Sequence, residues 1–248
     1  MSALPTTRDE DWRYADAAEL ERLAPADLDV WHEATLAPGE VRRKDLLLDD
    51  SHPGVHRVRL TVGEGARAEI FALASASSYT RLEVEVELGR GAHFQFGGVT
   101  IGGGEATREF VTRVSHAEPN GTSDQIVRAV HWGGATGNFL GKLAVARDAQ
   151  KTDAAQNFRA LLLERGASAN AKPELEIYAD DVKCAHGAAI GQMDEAAAYY
   201  MAARGLPPEA ARKLLVRAFI ADAYAAHPVE AERDALLDAA LDALGDAA

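Results

Sequence analysis

Two glycine-rich repeats separate runs of alternating apolar and polar residues in the first half of the chain. Gly63 to Ala66 and Gly89 to Ala92 each end one run and open the next. Before the second repeat, leucine and valine alternate with Glu83, Glu85 and Glu87, which predicts a strand whose apolar residues face a core and whose glutamates face solvent. The spacing of the repeats suits one coil of a parallel β-helix, but alternation alone also permits a sandwich or a jelly roll.

The pattern predicts three segments along the chain. Residues 1–45 form an N-terminal helical or capping segment with breaks at Pro5 and Pro25, residues 46–191 form a β core, and residues 192–248 form a C-terminal helical domain. Within the core, turn clusters rich in Gly, Asn and Asp separate further predicted strands. These strands are expected at 107–115, 125–132, 138–146 and 174–182.

Three helices are predicted after Gly191. The first begins at Asp194 and ends before Gly205, and Pro207-Pro208 opens the second. The third begins at about Val229. Apolar stripes at helical spacing run along the last two helices: Ala211, Leu214, Leu215, Ala218 and Phe219 on one, and Leu236, Leu237, Ala240, Leu241 and Leu244 on the other. This appendage is too small to be stable by itself, so we expect it to pack on the core or on a partner.

Composition excludes several classes of function. The chain has 248 residues and a net charge of −13, whereas nucleic acid or an anionic membrane would select a basic surplus. Its single cysteine permits no internal disulfide, which fits a reducing compartment. The first residues lack the charged start and apolar run of a secretory signal. We therefore expect a cytoplasmic protein that binds neither nucleic acid nor membrane.

The single cysteine lies two residues before a histidine, which makes this pair the best candidate for chemistry. If 182–188 is extended, Val182, Cys184 and His186 share one face of a strand. A thiolate and an imidazole suit zinc, copper(I) or iron–sulfur chemistry, but two ligands do not complete a site. The remaining ligands would come from a bound species or from another chain. The alternative is ordinary packing of a buried cysteine and a hydrogen-bonded histidine.

Three segments around this pair resemble the C-terminal signature of SufD proteins, members of the SufB/SufD family of the SUF iron–sulfur cluster assembly machinery. They are TDAAQNFRALLL at 152–163, the run from Lys172 to Asp194, and Tyr-Tyr-Met-x-x-Arg-Gly from Tyr199 to Gly205. The resemblance implies a mainly β protein with a right-handed parallel β-helix core, flanked by short N-terminal helices and a C-terminal helical domain. It also implies a non-catalytic subunit of a SufBCD complex.

The resemblance assigns roles to particular residues. His186 would lie at the contact with SufB and take part, with a SufB cysteine, in building or receiving a nascent cluster, and Cys184 is a weaker candidate. No cofactor would be tightly bound, although iron or a cluster could pass through this interface. The C-terminal helices would dock the ATPase SufC through Tyr199, Arg204, Glu209, Arg212, Lys213 and Arg217. A homodimer is a further association left open.

Trp12-Arg13-Tyr14 is similar to an element that marks the entry into the core in this family. Because it lies almost at the start, we expect the chain to lack the helical domain that longer relatives place before it. The other interpretation is an aromatic anchor that packs a terminal helix onto the core.

Two alternative functions stay open. A SufB-like scaffold should carry more cysteine than Cys184 alone. A metal-dependent enzyme on a β-helix or cupin-like barrel would need three or four convergent ligands, and Pro53-Gly54 prevents His52 and His56 from forming a helical metal clamp. The glycine-rich run at 133–142 fails as a phosphate loop because Leu143 replaces the Ser or Thr that should follow Gly-Lys. We therefore expect no enzymatic activity.

Overall fold

The computed structural model describes residues 4–245, except for the side chains of Pro25, Asp27 and Glu195. Most of this range is strand. The strands are β1 (His32–Leu36), β2 (Val41–Leu48), β3 (Gly54–Val62), β4 (Arg67–Ala74), β5 (Thr80–Leu88), β6 (His93–Gly102), β7 (Thr107–His116), β8 (Thr122–His131), β9 (Thr136–Val145), β10 (Asp153–Leu162), β11 (Ser168–Ile177) and β12 (Lys183–Gln192).

The strands form two parallel sheets that enclose one core. The first sheet has the order β1-β3-β5-β7-β9-β11, and the second has the order β12-β10-β8-β6-β4-β2. Consecutive strands therefore alternate between the sheets, and each pair of strands makes one coil. This is the β-helix that the resemblance predicted. The coils begin at β1 and end at β12, so the first coil opens inside the range 1–45 assigned to the N-terminal segment.

The glycine repeat builds the corners between coils. Gly65 and Gly91 occupy equivalent positions with φ of +63° and +62°, a left-handed conformation that favours glycine. Gly63 is required for a different reason: there is no space for a side chain, because a Cβ built there would lie 2.6 Å from the Leu36 carbonyl oxygen. The repeat thus allows both the turn and the close stacking of one coil on the previous one.

Inward residues of β5 follow the predicted alternation, but Glu83 does not face solvent as predicted. Leu82, Val84, Val86 and Leu88 are buried in the core. Glu83 is also buried, and its carboxylate accepts a hydrogen bond of 2.7 Å from Arg81 Nε. The prediction was wrong because it treated the outer face of the sheet as bare, whereas the N-terminal segment covers it.

The N-terminal segment covers the outer face of the first sheet. It contains a 3-10 turn (Glu10–Trp12) and the short helices α1 (Ala17–Leu20) and α2 (Pro25–Leu28). Trp12 is buried, and the Arg81 guanidinium carbon lies 3.7 Å from its ring centroid. Asn138 Nδ2 donates to the Tyr14 carbonyl at 2.9 Å. Trp12 therefore acts as the anchor that the second interpretation of this motif predicted.

Three C-terminal helices follow the coils: α3 (Glu195–Ala202), α4 (Pro208–Ala221) and α5 (Glu230–Leu244). Val216 of α4 packs in one buried cluster with Phe71 and Val99 of the second sheet. The predicted stripe of α5 is buried throughout. The stripe predicted for α4 is only partly correct, because Leu214 is 47% exposed and Ile220 is buried in its place.

The eleventh strand also differs from its prediction. It runs from Ser168 to Ile177 and includes Pro173, whereas the sequence predicted a strand at 174–182. Proline cannot donate to a ladder, so it belongs on an edge strand, and β11 is the edge of its sheet. Within residues 4–245, no helix is both long and apolar enough to span a membrane.

Candidate functional site at the open end of the β-helix

The last strand places Cys184 and His186 on one face. In the parallel register, Cys184 pairs with Ala154, and His186 pairs with Gln156, which pairs in turn with Gln125. Ala154, Gln156 and Gln125 are all buried. The two candidate residues therefore continue rows of side chains that point into the lumen of the β-helix, as alternation along an extended strand requires.

The last coil leaves these two residues accessible. His186 is exposed and Cys184 is half-buried. Burial, and secondarily the Asp153 carboxylate, raises the pKa of the Cys184 thiol above its ordinary value. The thiol therefore stays protonated at neutral pH, and Lys183, on the other face of the strand, does not offset this effect. Of the pair, His186 is the better ligand in the free chain.

Two buried glutamines lie behind His186 in the same row. The side-chain amide atoms of Gln125 and Gln156 have no hydrogen-bond partner among the described residues. Gly141 makes room for Gln156, because a Cβ built at position 141 would lie 2.7 Å from Gln156 Oε1. Neither glutamine was predicted as a site residue. The inward positions of β8 and β10 follow from the alternation of those strands, so the sequence did contain a signal for both.

Apolar residues of the last coil are exposed where their counterparts one coil earlier are buried. Ile177 is 39% exposed, but its register partner Val145 is buried. Ile190 is 48% exposed, but its register partner Ala160 is buried. Both last strands also present unpaired edges. This end of the β-helix is therefore a surface that a further layer of protein can cover.

The residues predicted to dock an ATPase lie in and around α3 and α4. Tyr199 is 77% exposed, and the Arg204 guanidinium stacks on the neighbouring Tyr200 ring at 3.4 Å. Glu209 and Lys213 are exposed, while Arg212 and Arg217 are half-buried. A groove of about 670 Å³ between α4 and α5 brings together Lys213, Leu214, Arg217, Asp238 and Leu241.

Arg217 is not free within this groove. Its guanidinium forms an ion pair of 2.9 Å with Asp238 of α5. The groove therefore offers one exposed cation, Lys213, beside the apolar side chain of Leu214.

A second group of candidate metal ligands was not predicted. Among residues 4–245, one cluster brings three ligand atoms within 4.8 Å of one another, from Asp45, His227 and Glu232. His227 Nδ1 accepts a hydrogen bond of 3.1 Å from the Val229 amide, so the proton of a neutral ring lies on Nε2. Nε2 then donates to the Asp45 carboxylate, 3.2 Å away. Coordination through Nε2 would require that proton to move to Nδ1, against the Val229 N–H, so this cluster joins the helices to β2 instead.

His52 and His56, the pair considered above as a metal clamp, contact different groups. His52 Nδ1 lies 3.2 Å from Asp49 Oδ1, and His56 Nε2 lies 2.9 Å from the His52 carbonyl. Their ring nitrogens thus have different partners.

Comparison with known proteins extends the match well beyond the last coil. Residues 28–219 match the family described as SUF system FeS cluster assembly, SufBD core domain. The chain is 39% identical over 132 residues to Protein ABCI7, chloroplastic, of Arabidopsis thaliana. The aligned segment covers 52% of this chain and 28% of that protein. It is 32% identical over 139 residues to Iron-sulfur cluster assembly protein SufD of Bacillus subtilis. That alignment covers 56% of this chain and 32% of the relative.

A third relative matches with higher identity over a shorter segment. It is Iron-sulfur cluster assembly protein SufD of Escherichia coli, 42% identical over 84 residues, or 34% of this chain and 20% of that protein. In all three cases the chain spans about a third or less of the relative's length. The family match covers more than half of the chain and includes all twelve strands of the β-helix. The chain belongs to the SufBD family of SUF iron–sulfur cluster assembly proteins.

Proposed function

We propose that this chain is a non-catalytic subunit of a SufBCD-type complex for iron–sulfur cluster assembly. It pairs with a SufB-like subunit through its last coil and binds a SufC-like ATPase through its C-terminal helices. The observation that carries the proposal is the open end of the β-helix, where an uncovered coil presents His186 beside exposed Ile177 and Ile190. Such a surface buries its apolar side chains only when another subunit covers it.

His186 supplies one ligand for iron or a nascent cluster at this contact. A neutral imidazole is a suitable ligand for iron, and the exposed ring of His186 can meet ligands from the facing subunit without moving the coil. Cys184 contributes less, because burial raises the pKa of its thiol. Two ligands on one chain are too few to hold a cluster. Iron or cluster is therefore cargo at the interface and is not resident in this chain.

The helices supply the ATPase contact. The outward side of α4 carries exposed Glu209 and Lys213 beside the half-exposed Leu214, which combines charge with apolar area as docking surfaces do. Movement of a bound ATPase could reach the coils through α4 and α5, because both helices pack on the second sheet. A cytoplasmic location is also part of the proposal. The comparisons do not give it, because the relative from Arabidopsis thaliana is named as chloroplastic.

The test of His186 is cluster maturation of client proteins in cells that depend on this chain. We expect His186→Ala to leave the circular dichroism spectrum and the level of the protein unchanged and to lower client maturation at least tenfold. His52→Ala is the matched control, because His52 is also exposed but lies far from the last coil in sequence. Maturation unaffected by His186→Ala would refute the role given to this residue.

The test of the ATPase contact is affinity purification with a SufC-like subunit. Lys213→Glu combined with Leu214→Asp should abolish co-purification, because it reverses the charge and removes the apolar area of one surface. Arg90→Glu, in an exposed corner between coils, should have no effect. Retention of the ATPase by the double variant would place the contact elsewhere.

A further inference from the structure

Arg108 is a buried cation that forms no hydrogen bond or ion pair with any of the residues that the structure describes. It lies on β7, it is only 2% exposed, and its Nε and Nη1 atoms have no acceptor among the described residues. Arg81 is equally buried, but its guanidinium binds Glu83 at 2.7 Å and Glu109 at 3.0 Å. A buried charge is costly unless it is paired. The contrast indicates that the partner of Arg108 comes from outside the chain.

Arg108 lines a cleft of about 660 Å³ between the β-helix and α5. The walls of the cleft also include Ser75, Gly102 and Trp132. Gly102 lies directly against the guanidinium, because a Cβ built there would approach Arg108 Nη2 to 2.4 Å. A larger residue at 102 would displace the guanidinium, so this corner is shaped around it.

The charges around the cleft limit the class of ligand. Burial lowers the pKa of Arg108 to about 10, so the guanidinium is still protonated at neutral pH. The Asp50 carboxylate attracts it, but Asp50 Oδ1 already accepts hydrogen bonds from the Ser77 amide and hydroxyl at 2.6 and 2.8 Å. Asp49 and Asp242 add two further acidic groups to the wall. An anion without a compensating positive charge would be repelled by these carboxylates.

We propose that this cleft binds a small zwitterion of the α-amino acid class. The ligand's carboxylate pairs with the guanidinium of Arg108, for which carboxylates are well-matched acceptors. Its ammonium group faces the acidic wall, to which α5 contributes Asp242. Arg108 lies outside the proposed subunit contacts, which use the last coil and the outward face of α4, although Asp242 also borders the groove between α4 and α5.

The experiment is titration of the full chain by calorimetry and by thermal shift. The probes are glycine, L-alanine, acetate, methylamine and inorganic phosphate. We expect an amino acid to bind and to raise the melting temperature, and we expect Arg108→Gln to weaken it at least tenfold. Asp242→Asn should weaken the amino acids severalfold and strengthen acetate slightly, because it removes one of the carboxylates that repel an anion. Arg90→Gln, an exposed arginine with a carboxylate partner 3.7 Å away, is the control and should change nothing.

Several results would overturn the proposal. The first is the absence of binding by either amino acid to the wild-type chain, and the second is binding that Arg108→Gln leaves unchanged. If acetate or phosphate binds as tightly as the amino acids, the assignment of a zwitterionic ligand is refuted. If Arg108→Gln fails to fold, a crystal structure of the wild-type chain with the amino acid bound tests the proposal instead. The proposal requires the ligand carboxylate to lie against the Arg108 guanidinium in that structure. A direct Arg108–Asp50 ion pair in that structure would also contradict the assignment.

Discussion

Phe96 and His186 occupy the same inward row of the second sheet, yet their surroundings are opposite. The row runs from Phe96 through Gln125 and Gln156 to His186. Phe96 is fully buried in the third coil, whereas His186 is exposed in the last. The strands have the same geometry, so the difference comes from the layer above. Phe96 has further coils on both sides, and His186 has a coil on one side only.

This comparison teaches that alternation sets the direction of a side chain but not its burial. In a solenoid each coil buries its inner face against its neighbours, so the end coil is completed only by a cap or by another chain. The composition of the row changes in the same order, from aromatic through amide to imidazole. The inward positions near the open end are therefore suited to contact with a partner more than to internal packing.

The largest expected effect separates the middle coils from the last one. Phe96→Ala should lower the free energy of unfolding by about 3–5 kcal/mol, because it leaves a cavity in a packed core. Ile190→Ala should change it by less than about 0.5 kcal/mol, because that side chain is already half-exposed. Urea denaturation of both variants measures the difference, and similar losses would show that the last coil is packed as tightly as the third.

Acid should weaken the middle coils. Burial lowers the pKa of His131 to about 3 and that of His116 to about 4, against about 6.5 in an unfolded chain. The unfolded state therefore binds more protons between these values, and stability falls as the pH drops below 6.5. At pH 5 each histidine should cost about 2 kcal/mol.

Urea titrations at pH 7 and pH 5 check this dependence. His131→Gln should make the loss on acidification smaller by about 2 kcal/mol. A loss that is insensitive to His131→Gln would place the acid-labile groups elsewhere.

A third effect concerns a buried histidine outside the lumen. His227→Ala removes the hydrogen bonds to the Asp45 carboxylate and the ring contact with Phe71, whose centroid lies 4.4 Å away. We expect a loss of about 1.5–3 kcal/mol, typical of a bond to a charged group. Hydrogen exchange should accelerate in α4 and α5 more than in β5 and β7. Stabilisation of the wild type by added zinc would contradict the interpretation that Asp45, His227 and Glu232 join the helices to β2 and bind no metal.

Much of the architecture could be predicted because it depends on local patterns. The alternation before Gly89 located the inward residues of β5, and the family resemblance turned a choice among β folds into a β-helix. The same alternation placed Cys184 and His186 on one face, as the register bears out. These features depend on neighbours in the sequence or in the next coil.

The parts that sequence analysis missed depend on distant contacts. Glu83 is buried because Arg81 binds both it and the Asp11 carbonyl, 70 residues away. The His227 contact with Asp45 spans 182 residues. Arg108 Nε and Nη1 have no hydrogen-bond partner among the described residues, which depends on the groups that lie near them in space. Periodicity contains no information on such pairs. The roles given to His186 and to the docking residues of α4 remain predictions.

The smallest expected effect on the isolated chain has a large consequence for assembly. Ile177→Asp combined with Ile190→Asp should change the free energy of unfolding by less than about 1 kcal/mol, because both side chains are exposed. The same double variant should abolish pairing with a SufB-like subunit, because it places two charges in an apolar contact. Size-exclusion chromatography of the mixed subunits measures the loss, with exposed Val41→Asp as the control.

The most direct measurement is a native mass spectrum of this chain co-expressed with SufB-like and SufC-like subunits from the same source. The account predicts a complex with one copy of this chain, one SufB-like subunit and two SufC-like subunits, which the Ile177→Asp, Ile190→Asp variant fails to form. A homodimer that persists in the presence of SufB would give the open end a different partner. If this chain remains alone while the other two subunits associate, the central claim is wrong.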